Sequence, residues 1–435
     1  MRAQNASERL REIVRSNRRS HRGGVYAVCS AHPAVIHAAI HQAKDDGSLL
    51  LIESTSSQVN QLGGYTGQTP AKFAEFVHSA AKQAGLPDEQ VLLGGDHLGP
   101  YPWRNENSES ALQKATELVR ACVLAGYKKI HLDASMACAG DGTAGLDEQT
   151  VAERAASLCA AAEKAAVDVS PDCAPLYVIG TEVPTPGGET LRGHAPAVTS
   201  AEQVARTVEA FCTAFEKYGL TSAWERVIGL VVQPGVEFDE DAIFNYDRRN
   251  TAGLSSALPQ RPALVYEAHS TDFQPMASLA ELVEDHFAIL KVGPWLTFAF
   301  REAVFSLSMI EREMLSQRKS RRLSEVREAL DKAMLRNPTY WRSYYHGSEE
   351  GIRFARMYSY SDRCRYYWTD TEVQKELTLL YANLANITIP PALVSQYFPA
   401  HAEAARSGQQ LNAESLIREH IREVLRFYAA ACSKG

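Results

Sequence analysis

Short apolar runs alternate with longer amphipathic segments from Gly24 to Gly293. The short runs predict strands at Val25–Ser30, Ser48–Ser54, Gln90–His97, Lys128–Ser135, Pro175–Glu182, Arg226–Gln233, Pro262–His269 and Phe287–Gly293. They are rich in Val, Ile and Leu, as expected for strands covered on both faces. Between them, Ala34–Lys44, Pro70–Ala84, Ser108–Ala125, Asp147–Ala166, Ser200–Tyr218 and Leu279–Asp285 carry helical periodicity. Pro70 after Thr69 suits a first helical turn. Eight strand–helix alternations predict an α/β fold, a (β/α)8 TIM barrel, in preference to a doubly wound open sheet.

The pattern changes near Thr297. Phe298–Gln317, Arg322–Met334, Thr371–Ile387, Pro391–Tyr397 and Asn412–Ala431 read as helices, and Tyr340–Trp368 is an aromatic and basic stretch. The expected division is a barrel with a short N-terminal helix over 1–296 and a C-terminal helical extension packed on it over 297–435.

Composition adds mostly exclusions. The chain has 435 residues with 45% hydrophobic and 22% charged positions, enough for a large core without disulfide staples. A net charge of −7 gives no electrostatic footprint for nucleic acid. The eight cysteines form no C-x-x-C pair, which suits reduced thiols in a cytoplasmic protein. The basic N-terminus lacks a following apolar segment, so no secretory signal is expected, and no apolar run is long enough for a membrane span.

Barrel active sites lie at the C-terminal ends of the strands. Polar groups gather there: Glu53, Asp96-His97, His131 with Asp133, Glu182, Gln233, Glu267 with His269 and Asp272 close behind, and Lys291. Loops begin at strand ends, so any one of these has an ordinary structural explanation; the set as a whole reads as a functional rim. His97, Glu182 and His269 suit a divalent ion. Gln233 is a poorer ligand, and its other reading is to orient a substrate hydroxyl. His131 and Asp133 share a strand face, with one of them expected to support the other.

The loop Gln58–Gly67, carrying Asn60 and Gln61, combines amides with glycines that let backbone N–H groups approach a ligand. Gly140–Gly145 matches G-x-G-x-x-G, but four residues separate it from its strand and an acidic partner is missing at the required distance. Dinucleotide binding is therefore not expected. No P-loop and no G-x-S-x-G elbow is present. In Tyr358–Trp368, Arg363 and Arg365 among hydroxyls suit a phosphate, or else form a packing face between extension and barrel.

Longer motifs carry a resemblance. CSAHP at Cys29–Pro33, QVNQLGGYTG at Gln58–Gly67, GGDHLGPYPW at Gly94–Trp103, HLDASM at His131–Met136, GTEVPTPGG at Gly180–Gly188, YEAHSTDFQ at Tyr266–Gln274, LKVGPWLTFAFREA at Leu290–Ala303 and YSYSDRCRYYW at Tyr358–Trp368 are distinctive. Together they resemble the family of the so-called non-catalytic subunit of class II tagatose-bisphosphate aldolase, the GatZ/KbaZ type, from about residue 10 to the C-terminus.

The resemblance implies a barrel like that of class II aldolases, a phosphorylated ketohexose as ligand and either of two roles. One is a cytoplasmic 4-epimerase interconverting D-tagatose 6-phosphate and D-fructose 6-phosphate, dependent on a divalent metal (Zn, Mn, Ni or Mg). The other is a stabilising subunit of an aldolase chain; a homo-oligomer fits either. In class II aldolases an Asp-His pair ends one strand, the Asp moving a proton and the His binding metal, and Asp96-His97 matches it. Gln233 stands where those aldolases carry a second histidine, a departure from the pattern. The resulting assignment makes Asp96 the acid–base group, with Asp133 or Asp272 as substitutes. His97, Glu182 and His269 hold the metal, and Glu53, Asn60, Gln61, Gln233, Lys291, Arg363 and Arg365 bind substrate. Neither nucleic acid nor membrane is expected as a partner.

Overall fold

The computed structural model describes residues 5–142, 145–169, 174–181, 195–259, 261–317, 321–385 and 387–433. Its strands are β1 (Val25–Cys29), β2 (Leu50–Thr55), β3 (Val91–Leu98), β4 (Lys129–Leu132), β5 (Leu176–Ile179), β6 (Val227–Val231), β7 (Glu237–Phe238), β8 (Ile243–Phe244), β9 (Val265–Ala268) and β10 (Ile289–Val292). Eight of them close a barrel in the order β1-β10-β9-β6-β5-β4-β3-β2, every neighbouring pair parallel. The expected (β/α)8 barrel with a helical C-terminal region is what the chain forms. The remaining two strands, β7 and β8, pair antiparallel as a small hairpin after β6.

The N-terminal helix, Ala6–Ser20, starts where the Asn5 side chain accepts the Glu8 N–H at 2.9 Å. It closes the bottom of the barrel. Leu10 and Val14 pack on Val25, Leu51, Leu92, Leu176, Ile228, Val265 and Ile289, all buried, near the N-terminal strand ends. Burying each such side chain is worth ~1.5–3 kcal/mol.

Strand–helix pairs cover the outside until β10. The helix Pro294–Leu315 then leads into the extension, and the last helix, Ala413–Cys432, returns to the barrel wall. It packs against helices Pro33–Asp46 and Met276–Glu284 as well as Pro294–Leu315. Gly24 N–H donates to the Cys432 carbonyl at 3.0 Å, and the Tyr428 hydroxyl donates to the Thr271 carbonyl at 2.7 Å. A helix between 248 and 257 and another at Glu349–Tyr358 were not legible in the periodicity. No described helix is long and apolar enough to cross a membrane, and the seven described cysteines are all free.

Candidate functional site

The strands deliver charged side chains inward above the apolar floor, at steps of two residues. Leu51 is followed by Glu53, Val265 by Glu267 and His269, and Ile289 by Lys291, while β4 contributes Lys129, His131 and, just beyond its end, Asp133. Lys129 is fully buried, with Nζ 2.6 Å from Glu53 Oε1 and 2.7 Å from Glu267 Oε2. Lys291 Nζ pairs with Glu53 and lies 3.0 Å from Asp96 Oδ1 and 3.7 Å from Glu267 Oε1. Burial pulls the Lys291 ammonium down while these carboxylates face it.

A local turn lets neighbours Asp96 and His97 reach the same space. The β3–β4 register shifts between Gly95 and Leu98, and His97 takes φ +47°, in the left-handed region. Glycines make this possible. A Cβ on Gly94 would lie 2.8 Å from Glu53 Cγ, and one on Gly99 would overlap the Asp133 carbonyl oxygen at 1.6 Å.

Three imidazoles meet here, with ring centroids 4.8–5.2 Å apart for His97, His131 and His269. Each has one nitrogen beside a carboxylate. His97 Nδ1 is 2.7 Å from Asp133 Oδ2, His131 Nδ1 2.9 Å from Asp96 Oδ1, and His269 Nε2 3.0 Å from Glu267 Oε1. Carboxylates that orient an imidazole in this way are a recurring feature around ligated metals. The His131 Nε2 is buried and has no hydrogen-bond partner. Asp96, His97, His131 and His269 each offer a ligand atom, all within 4.8 Å of one another. An orphaned imidazole nitrogen in a three-His, one-Asp set fits a divalent ion.

The electrostatics follow from packing these groups together. Burial opposes ionisation of Asp96, but His97, His131 and His269 outweigh it and hold the carboxyl well below its usual range. Asp133, opposed by burial and favoured by its bond with His97, is held at about 2. Burial lowers His97, yet Asp96 and Asp133 raise it above the ordinary imidazole value, whereas burial keeps His269 below it.

Over this cluster lies a cavity of about 610 Å³, within the range of small-molecule sites. Asp96, His97, His269 and Lys291 line its floor, and Arg363 and Arg365, from the turn Arg363–Tyr367 of the extension, line its roof. Asp362 anchors that turn: it is buried at φ +46°, accepts from the Thr297 hydroxyl at 2.7 Å and lies 3.5 Å from Arg301 Nη1. Arg363 Nη1 donates to the Tyr340 carbonyl, and Arg365 Nη2 to the Tyr366 hydroxyl at 3.0 Å. Burial opposes ionisation of the Tyr366 phenol, but the two guanidiniums hold it below its ordinary value.

Other candidates fall elsewhere. Glu53 is sealed beneath the cavity by its two lysines, so direct substrate contact, as read from the sequence, does not fit its place. Asn60 folds its own loop, accepting from the N–H groups of Leu62 and Gly64, and Gln61 donates to the Lys114 carbonyl at 2.9 Å. Gln233 Oε1 accepts from Gly235 N–H at 2.8 Å. Among the described residues, Asn60, Gln61 and Gln233 do not line the cavity, while Gln58 does. Asp272 is in the cavity wall, but its Oδ1 accepts from Gly293 and Trp295 N–H, which makes it a clamp on the start of helix Pro294–Leu315. Glu182 lies outside the described residues. Sequence reasoning gave no role to Lys129 and left His131 without a ligand role; the signal was the inward spacing Lys129-x-His131-x-Asp133.

Fold and cluster together define a (β/α)8-barrel protein with a buried histidine–carboxylate cluster at the C-terminal ends of its strands. The chain belongs to the D-tagatose-1,6-bisphosphate aldolase subunit GatZ/KbaZ-like family, whose model matches residues 10–433. Among solved structures it is similar to a "probable tagatose 6 phosphate kinase" from Sinorhizobium meliloti 1021, at 42% identity and a TM-score of 0.85, over 94% of this chain and 100% of that one. A more distant likeness is to the fructuronate-tagaturonate epimerase UxaE from Cohnella laeviribosi, at 12% identity and a TM-score of 0.46, over 94% and 81% of the two chains.

Proposed function

We propose that the chain is a metal-dependent 4-epimerase interconverting D-tagatose 6-phosphate and D-fructose 6-phosphate by retro-aldol cleavage and re-addition. The observation that carries this reading is the carboxylate-held His97–His131–His269 triangle, of which His97 and His269 line, with Asp96, the floor of a cavity roofed by two arginines.

The substrate chemistry narrows the route. C4 of a 2-ketose is β to the carbonyl, so its C–H is not acidic and direct deprotonation does not invert it. Cleavage of C3–C4 does. Asp96 accepts the C4-hydroxyl proton as the C3–C4 electron pair moves onto the ketone fragment, leaving an enediolate and glyceraldehyde 3-phosphate. The aldehyde turns about its C4–C5 bond while Arg363 and Arg365 hold the phosphate. C3 then attacks the opposite aldehyde face, and Asp96 returns the proton to the C4 oxygen. Lys291, beside Asp96, keeps a positive charge next to the developing alkoxide. His97, His131 and His269 would hold a divalent ion, which would supply Lewis-acid polarisation of the substrate carbonyl. Glu182 remains a further candidate ligand. The sugar kinase reading has no support in the sequence, which lacks a P-loop.

The family description also names an aldolase subunit, so a supporting role for a partner aldolase is the second reading. The purified chain alone decides between them. After chelation and return of Zn, Mn, Ni or Mg, it should convert tagatose 6-phosphate without a partner, and in D2O the product should carry no deuterium at C4. Inactivity with every metal, together with stabilisation of an added aldolase chain, overturns the epimerase in favour of the subunit.

A further inference from the structure

Outside the barrel cluster, three segments of the extension bring two imidazoles and two carboxylates together. His401 ends the short turn Pro399–His401, His420 and Glu423 are one turn apart on helix Ala413–Cys432, and Glu302 comes from helix Pro294–Leu315. His401 Nε2 is 3.0 Å from Glu423 Oε1, His420 Nδ1 is 3.4 Å from Glu423 Oε2, and His420 Nε2 is 3.2 Å from Glu302 Oε2.

We propose that His401, His420 and Glu423 form a second divalent-cation site, of the kind that takes Zn²⁺, which staples the last helix to the extension. His401, His420 and Glu423 offer ligand atoms within 4.8 Å of one another. A tetrahedral ion with bonds of ~2.0–2.2 Å needs ligand atoms roughly 3.3–3.6 Å apart, so small side-chain shifts suffice.

Three further observations point to a ligand. His401 is 9% exposed, and its buried Nε2 has the Glu423 carboxylate 3.0 Å away but outside hydrogen-bond geometry. Phe398, almost fully buried, backs both rings with centroids at 6.4 and 5.9 Å, giving the site an apolar wall on one side. His420, Glu423 and Glu302 keep partial exposure, which leaves a path from solvent. Two neutral imidazoles and two carboxylates carry the charge that a divalent ion neutralises. The Arg422 and Arg426 guanidiniums nearby are each paired with Glu419, which spares the site their direct opposition.

Without an ion the same groups form an ion-pair cluster. Burial lowers His420, but its bonds to Glu302 and Glu423 lift it to about 9.

The test counts ions. Chelated protein is dialysed against Zn²⁺ and analysed for bound metal, alongside His401→Ala and His420→Gln. Each variant should bind one equivalent less than the unmodified chain and keep its turnover. The inference does not depend on the barrel cluster: if that cluster holds an ion the count falls from two to one, and if it does not, from one to zero. Zn²⁺ should also raise the Tm of a His131→Ala chain but not of His131→Ala combined with His420→Gln. In the His131→Ala chain, Co²⁺ should give the absorption of a low-symmetry site that disappears when His420→Gln is added. Equal metal content in the unmodified chain and both folded variants overturns the site and leaves an ion-pair cluster only.

Discussion

The lower and upper halves of the barrel interior are built from the same strands by opposite rules. Below, Val25, Leu51, Leu92, Leu176, Ile228, Val265 and Ile289 fill space under the N-terminal helix. Above, two residues on, Glu53, Glu267 and Lys291 meet Lys129, Asp96 and the three histidines. The floor is specified by volume, and the side chains there are interchangeable at modest cost if the volume is kept. The upper layer is specified by charge balance. Four carboxylates, Glu53, Glu267, Asp96 and Asp133, face two ammoniums, Lys129 and Lys291, leaving negative charge for imidazoles or a divalent ion to satisfy. Buried charges persist only when paired, so the loss of one member is felt by several others.

The largest effect should come from Asp96→Asn. The amide keeps the shape and removes the proton acceptor, so turnover should drop by ~10²–10⁴ while fold and metal content hold. Steady-state rates and metal analysis on the same sample check this. If the variant instead loses metal and regains turnover with metal in excess, Asp96 is a ligand and Asp133 or Asp272 carries the proton.

Lys129→Met probes the boundary between the halves. Methionine has a comparable apolar stem, but Glu53 and Glu267 lose a shared partner in a site with no exposure. Breaking a buried pair costs ~3–5 kcal/mol, readable as a lower urea midpoint. Adding Glu267→Gln should recover part of that loss. Unchanged stability in the single variant would mean the upper layer is not organised by charge.

Leu51→Ala does the converse. It should cost ~2–5 kcal/mol through the cavity it leaves, with turnover per folded molecule nearly intact. A drop in turnover as large as that of Asp96→Asn would erase the distinction between the two halves.

The division explains what the sequence could reveal. The barrel strands are visible because each is buried on both faces and so reads as a run rich in Val, Ile and Leu, although Lys129 and His131 interrupt β4. The rim residues Asp96, His97, His269 and Lys291 are visible because charge interrupts such runs at their ends. Lys129 was hidden because it follows Lys128: of two adjacent lysines, one is partly exposed and the other fully buried, and local pattern does not separate them. Its partners Glu53 and Glu267 become neighbours only when the barrel closes. Likewise, nothing in the periodicity near Asn412–Ala431 shows that the last helix returns to the barrel wall, because docking against α-helical neighbours leaves the same amphipathic signature as docking within the extension.

The smallest predicted effect tests whether the upper half tolerates a carboxyl without a close cation. Asp272 is buried, and its Oδ1 accepts from Gly293 and Trp295 N–H at the start of helix Pro294–Leu315. Burial raises its pKa from 3.8 to about 6, against the pull of those N–H groups and of Arg365. A folded-state pKa above the unfolded value means that the folded chain favours the protonated form. The associated stability is present below pH 4 and lost as pH rises through 6. Asp272→Asn keeps an oxygen acceptor for both N–H groups and cannot ionise. It should therefore match the unmodified chain near pH 4 and exceed it by ~1–3 kcal/mol at pH 7–8. Thermal melts of both proteins from pH 4 to pH 8 measure the difference. A variant less stable than the unmodified chain at pH 7 would show that the helix N-terminus stabilises the ionised carboxylate by more than burial costs it, and the upper half would then hold charge by backbone dipoles as well as by paired side chains.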